Sequence, residues 1–335
     1  MTTISKTITI NPNLKKDLVS LFNLIQKSDG IIITGHINPD GDNIGSQLAL
    51  GEYLDSIGKK FIIVDDDPVP VHLRFLPNHN LMQKTDNVII EDGEYDLMIA
   101  VDSGDIDRIG KVSEFVKDNI TLVNIDHHLE NTNFGDINII DEKACSIGEI
   151  LYYFFKINDI EISYDMAIDI YVSIITDTGS FKYDRMHPAV HLIACDLMEI
   201  GVVPSEFTIF LYQSRRICYI KLLTLSLSRL ELYCENRIAL SYIFIEDFEE
   251  MNDTDTDGII ENMGIIDTVS VYFLIKEKEP GLYSASLRSK FDVDVAKIAS
   301  YFGGGGHMRA AGCKTNQLTF DEFKNRLIEL ISKQL

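Results

Sequence analysis

Histidine and aspartate meet at four points in the first half of this sequence. The first is Gly35-His36-Ile37-Asn38-Pro39-Asp40-Gly41-Asp42, where a turn rich in Gly and Pro lets His36, Asp40 and Asp42 converge. Imidazole with carboxylate suits a divalent transition ion; the blander reading is a strand-to-helix turn whose aspartates cap the next helix. The second is Asp102 in Val101-Asp102-Ser103-Gly104-Asp105, which by itself reads as a cap or turn former. The third, Asn124-Ile125-Asp126-His127-His128, places two histidines at a strand end, where successive side chains diverge. One ring can then bind metal while its neighbour faces elsewhere, and Asp126 can orient a ring from behind. The fourth, Ile175-Thr176-Asp177-Thr178-Gly179, closes an apolar helical stretch and could be a simple glycine-capped C-terminus. Six candidate ligands (His36, Asp40, Asp42, Asp102, His127, Asp177) exceed what one catalytic ion with open positions needs. Two ions sharing a carboxylate would use them all.

The elements around these clusters predict an α/β fold. Leu14, Leu18, Leu21, Phe22 and Ile25 recur at helical spacing, and Asp29-Gly30 ends the run. Apolar runs at 31–34, 61–64, 97–101 and 121–125 are continuous, as expected of parallel strands covered by helices on both faces. Helical stretches at 45–56 and 147–155 lie between or after them. Three of the runs lead straight into polar clusters, at the carboxyl ends where open parallel sheets bind ligands. Beyond Gly201-Val202-Val203-Pro204-Ser205 the pattern changes. A connecting helix is expected over 209–229, strands over 238–245, 269–275 and 282–287, and helices over 293–301 and 321–333. Glu279-Pro280-Gly281 reads as a hairpin turn, and Thr319 with Glu322 as a capping box. The resulting domains are 1–205, a helical linker 206–228, and a smaller α/β domain 229–335.

Composition narrows the partners. The 335 residues include 52 acidic and 30 basic side chains, a formal charge of -22 that repels long polyanions. Long duplex nucleic acid is therefore excluded as a partner. Five scattered cysteines without a C-x-x-C pair suggest reduced thiols, and the N-terminus lacks the pattern of a signal peptide. With no apolar run long enough to span a bilayer, a cytoplasmic protein without membrane contact is expected. Tyr152-Tyr153-Phe154-Phe155 reads as core rather than a stacking platform, and Asp65-Asp66-Asp67 as a solvated charge run. His72, His79, His187 and His191 receive no role.

The order H-x-x-x-D-x-D, strand-end D, D-H-H and D-T-G resembles the DHH phosphoesterase superfamily. Gly303-Gly304-Gly305-Gly306-His307-Met308-Arg309-Ala310-Ala311-Gly312 is similar to the signature of its DHHA1 domain. The compact layout is most similar to the NrnA-type branch, which acts as nano-RNase and as phosphatase of 3′-phosphoadenosine 5′-phosphate. The resemblance implies an N-terminal parallel-sheet catalytic domain, a DHHA1 substrate domain and an active cleft between them. It implies two divalent ions, manganese by family preference: one on His36, Asp40 and Asp102, the other on Asp42, Asp102, His127 and Asp177, with Asp102 bridging. Catalytic roles then fall on Asp102, Asp126 and His128, the last facing the substrate phosphate. Substrate binding falls on Arg288, Gly303, Gly304, Gly305, Gly306, His307 and Arg309. Asn43 departs from the small apolar residue common in relatives.

The expected activity is hydrolysis of short oligoribonucleotides, of 3′-phosphoadenosine 5′-phosphate, or of both. Competing readings are a linear or cyclic dinucleotide phosphodiesterase, an inorganic pyrophosphatase or exopolyphosphatase, and a metal-dependent nucleotide sensor without turnover. Cleavage of pyrophosphate against a dinucleotide separates the first two classes, and manganese-dependent turnover excludes the third. Short RNA or DNA and small nucleotides are the partners expected. A homodimer remains open.

Overall fold

The structure is a computed structural model that describes residues 8–335 apart from Asp92, Asp184, residues 252–255 and Asp257. The chain divides into two compact units, one ending at Ser214 and the other spanning Arg215–Leu335.

In the first unit, α1 (Pro12–Lys27) starts at an Asn11 cap with Pro at its first position and buries Leu14, Leu18, Leu21 and Ile25. Next come β1 (Ile31–Thr34), α2 (Gly41–Ser56), β2 (Phe61–Asp65), β3 (Met82–Lys84), β4 (Leu97–Val101), β5 (Thr121–Asp126) and β6 (Ile137–Ile140). Four helices complete the unit: α3 (Ile147–Ile157), α4 (Tyr164–Asp177), α5 (Pro188–Ile200) and α6 (Pro204–Tyr212). The sheet runs β3-β2-β1-β4-β5-β6, with every pairing parallel. The chain therefore winds outward in one direction from β1 and in the other from β4. The crevice at the carboxyl ends of these two neighbours is the switch point of a doubly wound sheet, where ligands collect.

The central strands β1 and β4, Ile31–Thr34 and Leu97–Val101, are buried at every position because both faces are covered, though unequally. Ile31, Ile33, Leu97, Ile99 and Val101 face the helical layer, which supplies Leu48, Leu151 and Ile174. Ile32, Met98 and Ala100 face Ile109 and Val112, from a 3-10 helical segment over 106–115. Complete burial of an Ile or Leu contributes roughly 1.5–3 kcal/mol. The three isoleucines of β1, all fully buried, thus anchor the strand that launches His36. Tyr152, Tyr153, Phe154 and Phe155 are buried in α3, as expected of core.

The second unit begins with α7 (Ile217–Ser228), followed by β7 (Glu231–Tyr233), β8 (Ile238–Ile243) and α8 (Ile245–Met251). It continues with β9 (Val271–Glu279), β10 (Leu282–Ser289), α9 (Val295–Ser300), β11 (Gly305–His307), β12 (Ala310–Thr315) and α10 (Phe320–Ser332). Its sheet, β11-β12-β10-β9-β8-β7, is antiparallel except between β8 and β9. Leu240, Phe273 and Leu287 pack on Ile298, Phe323 and Leu327. The hairpin between β9 and β10 turns through Gly281 at φ +73, a torsion that glycine adopts without cost. The Thr319 and Glu322 capping box starts α10.

One expected element is divided. The helix over 209–229 is two helices, α6 and α7, interrupted at Gln213-Ser214-Arg215-Arg216, a polar run with no apolar face to bury.

Candidate functional site

The turn after β1 is fixed before any ligand is considered. Asp40 caps α2: its Oδ1 accepts the backbone N–H groups of Asp42 and Asn43 at 3.0 and 3.1 Å. Its other oxygen, Oδ2, lies 3.8 Å from Nε2 of His36. The cap and ligand readings of this residue are thus compatible, one oxygen for each. His36 donates Nδ1–H to the Ile37 carbonyl at 2.8 Å, the arrangement that leaves Nε2 as the coordinating atom. Asp42 lies on the first turn of α2 and points at the start of α3. Its carboxylate accepts Ile147 N–H at 2.9 and 3.0 Å and Ser173 Oγ–H at 2.6 Å. A helix N-terminus with unpaired N–H groups stabilises that negative charge. Its Oδ2 lies 3.7 Å from Nε2 of His127.

Asp102 follows β4 in the left-handed conformation, φ +56, a torsion that Asp and Asn tolerate better than most residues. The bend aims its two oxygens at different histidines. Oδ2 is 3.2 Å from Nε2 of His36, and Oδ1 is 3.5 Å from Nε2 of His127. Asp177, the last residue of α4, brings Oδ2 to 3.6 Å from the same His127 nitrogen. His36, Asp40 and Asp102 form one group, and Asp42, His127 and Asp177 a second, each compact enough to hold a metal ion. His128 takes a different direction from His127, as its place after a strand end requires, yet its Nδ1 stays 3.7 Å from Asp102 Oδ1. Its Nδ1 is 2.7 Å from Asp126 Oδ1, so Asp126 orients this ring and not that of His127.

Four carboxylates in so small a volume demand positive charge. Burial opposes protonation of both imidazoles, but neighbouring carboxylates outweigh it. His36 is pushed up to about 9, chiefly by Asp102, and His127 up to about 10 by Asp102, Asp177 and Asp42. Burial and the like charges of Asp102 and Asp177 drive Asp42 well above the usual carboxylate range. Asp102 is the counter-case: burial would raise it, yet His127 and His36 hold it far below the ordinary value. Protons or metal cations can meet this demand. Two imidazoles and four carboxylates form a donor set that suits a pair of divalent ions.

In the second unit, register brings the expected substrate residues to one end of the sheet. Arg288 on β10 pairs with Ala310 on β12, and Ser289 N–H donates to the Arg309 carbonyl at the β11–β12 turn. Arg288 Nε also lies 3.6 Å from Glu261. The glycine run is not a loose loop: Gly305 and Gly306 belong to the edge strand β11. A Cβ on Gly304 would lie 2.2 Å from the Gly312 carbonyl oxygen, and one on Gly306 2.6 Å from that of Ala310. Close strand packing therefore requires these two glycines whatever else binds there. The His307 side chain lies outside the described residues.

Comparison with known proteins agrees with this architecture. Residues 30–176 match the DHH family, N-terminal domain, and 236–333 the DHHA1 domain. A probable bifunctional oligoribonuclease and PAP phosphatase NrnA from Streptococcus mutans is 31% identical, over 90% of this chain and 96% of its own. The chain belongs to the DHH/DHHA1 family. It is accordingly a metal-dependent hydrolase of phosphoester bonds. The bifunctional oligoribonuclease and PAP phosphatase NrnA of Thermus thermophilus is 29% identical, over 91% of this chain and 90% of its own. An exopolyphosphatase-related protein from Bacteroides fragilis shares the fold across 98% of this chain and 99% of its own, with TM-score 0.86 at 24% identity. Among the described residues no helix is long and apolar enough to cross a membrane.

Several residues around the centre of this DHH/DHHA1 chain have roles that the sequence did not reveal. Asp65, expected in a solvated charge run, is buried at the end of β2, where it accepts Gly35 N–H and Gln47 Nε2–H, each at 2.9 Å. Asp67 accepts Asn38 N–H at 2.7 Å. Asp65 and Asp67 therefore mould the turn that carries His36. Asn43 joins the same buried network through Gln47 at 2.7 Å. Asn131 donates to Asp126 Oδ2 at 2.6 Å and to Asn124 Oδ1 at 2.8 Å. His187 is no bystander either, since its Nε2 lies 3.1 Å from the buried Glu149. Nearness to the motifs was the available signal for Asn131; nothing local distinguished His187.

Proposed function

We propose that the chain hydrolyses short oligoribonucleotides and 3′-phosphoadenosine 5′-phosphate to nucleoside monophosphates. Two divalent cations, manganese by preference, are held by His36, Asp40 and Asp102 and by Asp42, Asp102, His127 and Asp177. Bound there, they supply Lewis-acid chemistry: water becomes more acidic and charge on the phosphoryl oxygens is neutralised. The observation that carries this reading is Asp102, whose two oxygens face the nitrogens of two different histidines at 3.2 and 3.5 Å. A single carboxylate can thereby serve both ligand groups.

The protein's own part is to hold and orient. Asp126 fixes the His128 ring through Nδ1, so a proton passed to or from a phosphate oxygen travels on Nε2. The backbone N–H groups at the start of α3 and the Ser173 hydroxyl hold the Asp42 carboxyl in one orientation. Arg288, Arg309, His307 and the glycine run Gly303 to Gly306 bind the remainder of the nucleotide. An Arg fork suits phosphate, and energy from that remote contact orients the reacting centre. The net charge of -22 favours substrates that fit within the site over strands that track a surface.

Product analysis with 5′- and 3′-labelled di- to decanucleotides, beside 3′-phosphoadenosine 5′-phosphate, tests the proposal. Manganese-dependent release of mononucleotides with short substrates preferred is expected. A specificity constant that climbs steadily with length, or cleavage of pyrophosphate alone, would overturn it.

A further inference from the structure

The segment Ala144-Cys145-Ser146-Ile147-Gly148, which leads into α3, serves two ligand residues at once. Its Ala144 carbonyl oxygen lies 3.2 Å from Nδ1 of His127. Three residues on, the Ile147 N–H donates to Asp42 at 2.9 and 3.0 Å. The Gly148 N–H donates at 2.8 Å to the Ser173 hydroxyl, which itself donates to Asp42. The partners of His36 and Asp40 come from elsewhere, the Ile37 carbonyl for the first and the N-terminus of α2 for the second.

Glu149 fixes this segment. Ser146 caps α3 by accepting the Glu149 N–H, and the Glu149 side chain reaches back one residue past the cap to the Cys145 N–H at 2.8 Å. That N–H and the Ala144 carbonyl belong to one planar peptide unit, in which they point opposite ways. Holding the N–H therefore aims the carbonyl at His127. The Glu149 carboxyl is only 2% exposed; burial opposes its charge, but His187, the Cys145 N–H and Tyr153 outweigh that and keep it below its ordinary value. Tyr153 donates its hydroxyl to Oε1, and His187 Nε2 lies 3.1 and 3.2 Å from the two oxygens. His187 precedes α5, where Pro188 takes the first position and the imidazole makes no cap contact. Its ring is 35% exposed, so the contact runs from the surface inward. Without it a buried carboxylate loses a main partner and must take a proton or admit water, and either change loosens its grip on the Cys145 N–H.

We propose that His187 and Glu149 are a positioning pair for one ligand group alone. Held by the imidazole, Glu149 sets the Ala144–Cys145 peptide and the start of α3, and these orient His127 and Asp42. The proposal rests on the two-ion phosphoesterase reading above. It makes the site on Asp42, His127 and Asp177 depend on a side chain that touches none of the three ligands, while the site on His36, Asp40 and Asp102 does not.

Calorimetric titration with manganese tests the pair in the full chain. His187→Ala should weaken one of the two ions roughly 10-fold, the low end for an outer partner of metal ligands, and leave the other at wild-type affinity. Combined with Asp177→Asn it should still weaken only one ion; combined with Asp40→Asn, both. His187→Gln, whose amide N–H can reach Glu149 from the same place, should recover most of the loss. On a dinucleotide, kcat of His187→Ala should fall at limiting manganese and return at excess, with KM unchanged. Equal weakening of both ions, wild-type affinity for both, or a His187→Gln protein no better than His187→Ala would overturn the proposal. Should His187→Ala fold poorly, Tyr153→Phe decides: losing one hydroxyl from the same carboxylate should weaken the same ion several-fold, and unchanged affinities there would overturn the pair. Wild type that binds two manganese ions but cleaves no phosphoester would sink the functional reading, while the titrations would still decide His187. Wild type that takes up no manganese would overturn both.

Discussion

Asp102→Asn removes one charge while keeping shape and backbone. Asn tolerates the left-handed torsion that Asp102 occupies at φ +56, so the turn after β4 should survive, whereas Ala would add strain of about 1–2 kcal/mol. The two oxygens of Asp102 face His36 at 3.2 Å and His127 at 3.5 Å, and an amide has only one oxygen to offer. Losing even a supporting partner of a metal ligand costs roughly 10- to 100-fold in affinity or activity, so a shared direct ligand should cost at least about 100-fold. The decisive feature is its distribution. Calorimetric titration of wild type with manganese should give two ions per chain, and Asp102→Asn should weaken both. Asp40→Asn should weaken one, because Asp40 faces only His36. Turnover on a dinucleotide should fall to near background in Asp102→Asn. An Asp102→Asn protein that keeps one ion at wild-type affinity would refute the shared carboxylate, whatever its activity.

Other perturbations probe the surroundings. His36 and His127 are raised to about 9 and about 10 from 6.5, so in metal-free protein their contribution to stability is complete below pH 6.5 and is lost as pH climbs through the raised values. Metal-free Tm should therefore fall between pH 6.5 and 9, while manganese affinity, in competition with the same protons, should rise; scanning calorimetry and pH-resolved titration check both slopes. Asn131→Ala removes the donor to Asp126 and Asn124 and should lower kcat roughly 10-fold, about one charge-assisted hydrogen bond, with manganese binding retained. A loss of metal by calorimetry would contradict that. Arg288→Ala should raise KM for a dinucleotide roughly 10-fold or more at unchanged metal stoichiometry, and an unchanged KM would remove Arg288 from the substrate site.

The sequence made some of this centre plain and hid the rest for physical reasons. His36, Asp102 and His127 stood out because a polar residue directly after a continuous apolar strand has few structural uses. Asp65 was misjudged because its partners, Gly35 N–H and Gln47, come from other elements. α4 was harder to delimit: Ala167 to Ile175 is buried on all sides, so no helical period separates an inner from an outer face. β3 and β6 are short, and neither is fully buried, so they lack the apolar run that revealed their neighbours. The break between α6 and α7 shows only as a polar stretch in an otherwise apolar segment.

Asp42 is bonded to Ile147, 105 positions away, and to Ser173, 131 positions away. The six proposed ligands themselves run from His36 to Asp177. Such a centre cannot assemble locally. Its ring of donors closes only when α2, α3 and α4 have docked, a step of high contact order that comes late and slowly in folding. A nascent chain that has not yet emerged past Asp177 lacks one of the donors and cannot complete the set. Metal uptake by this unit is thus a report of completed folding, and partly folded chains, unable to gather the donors, are spared premature phosphoester chemistry.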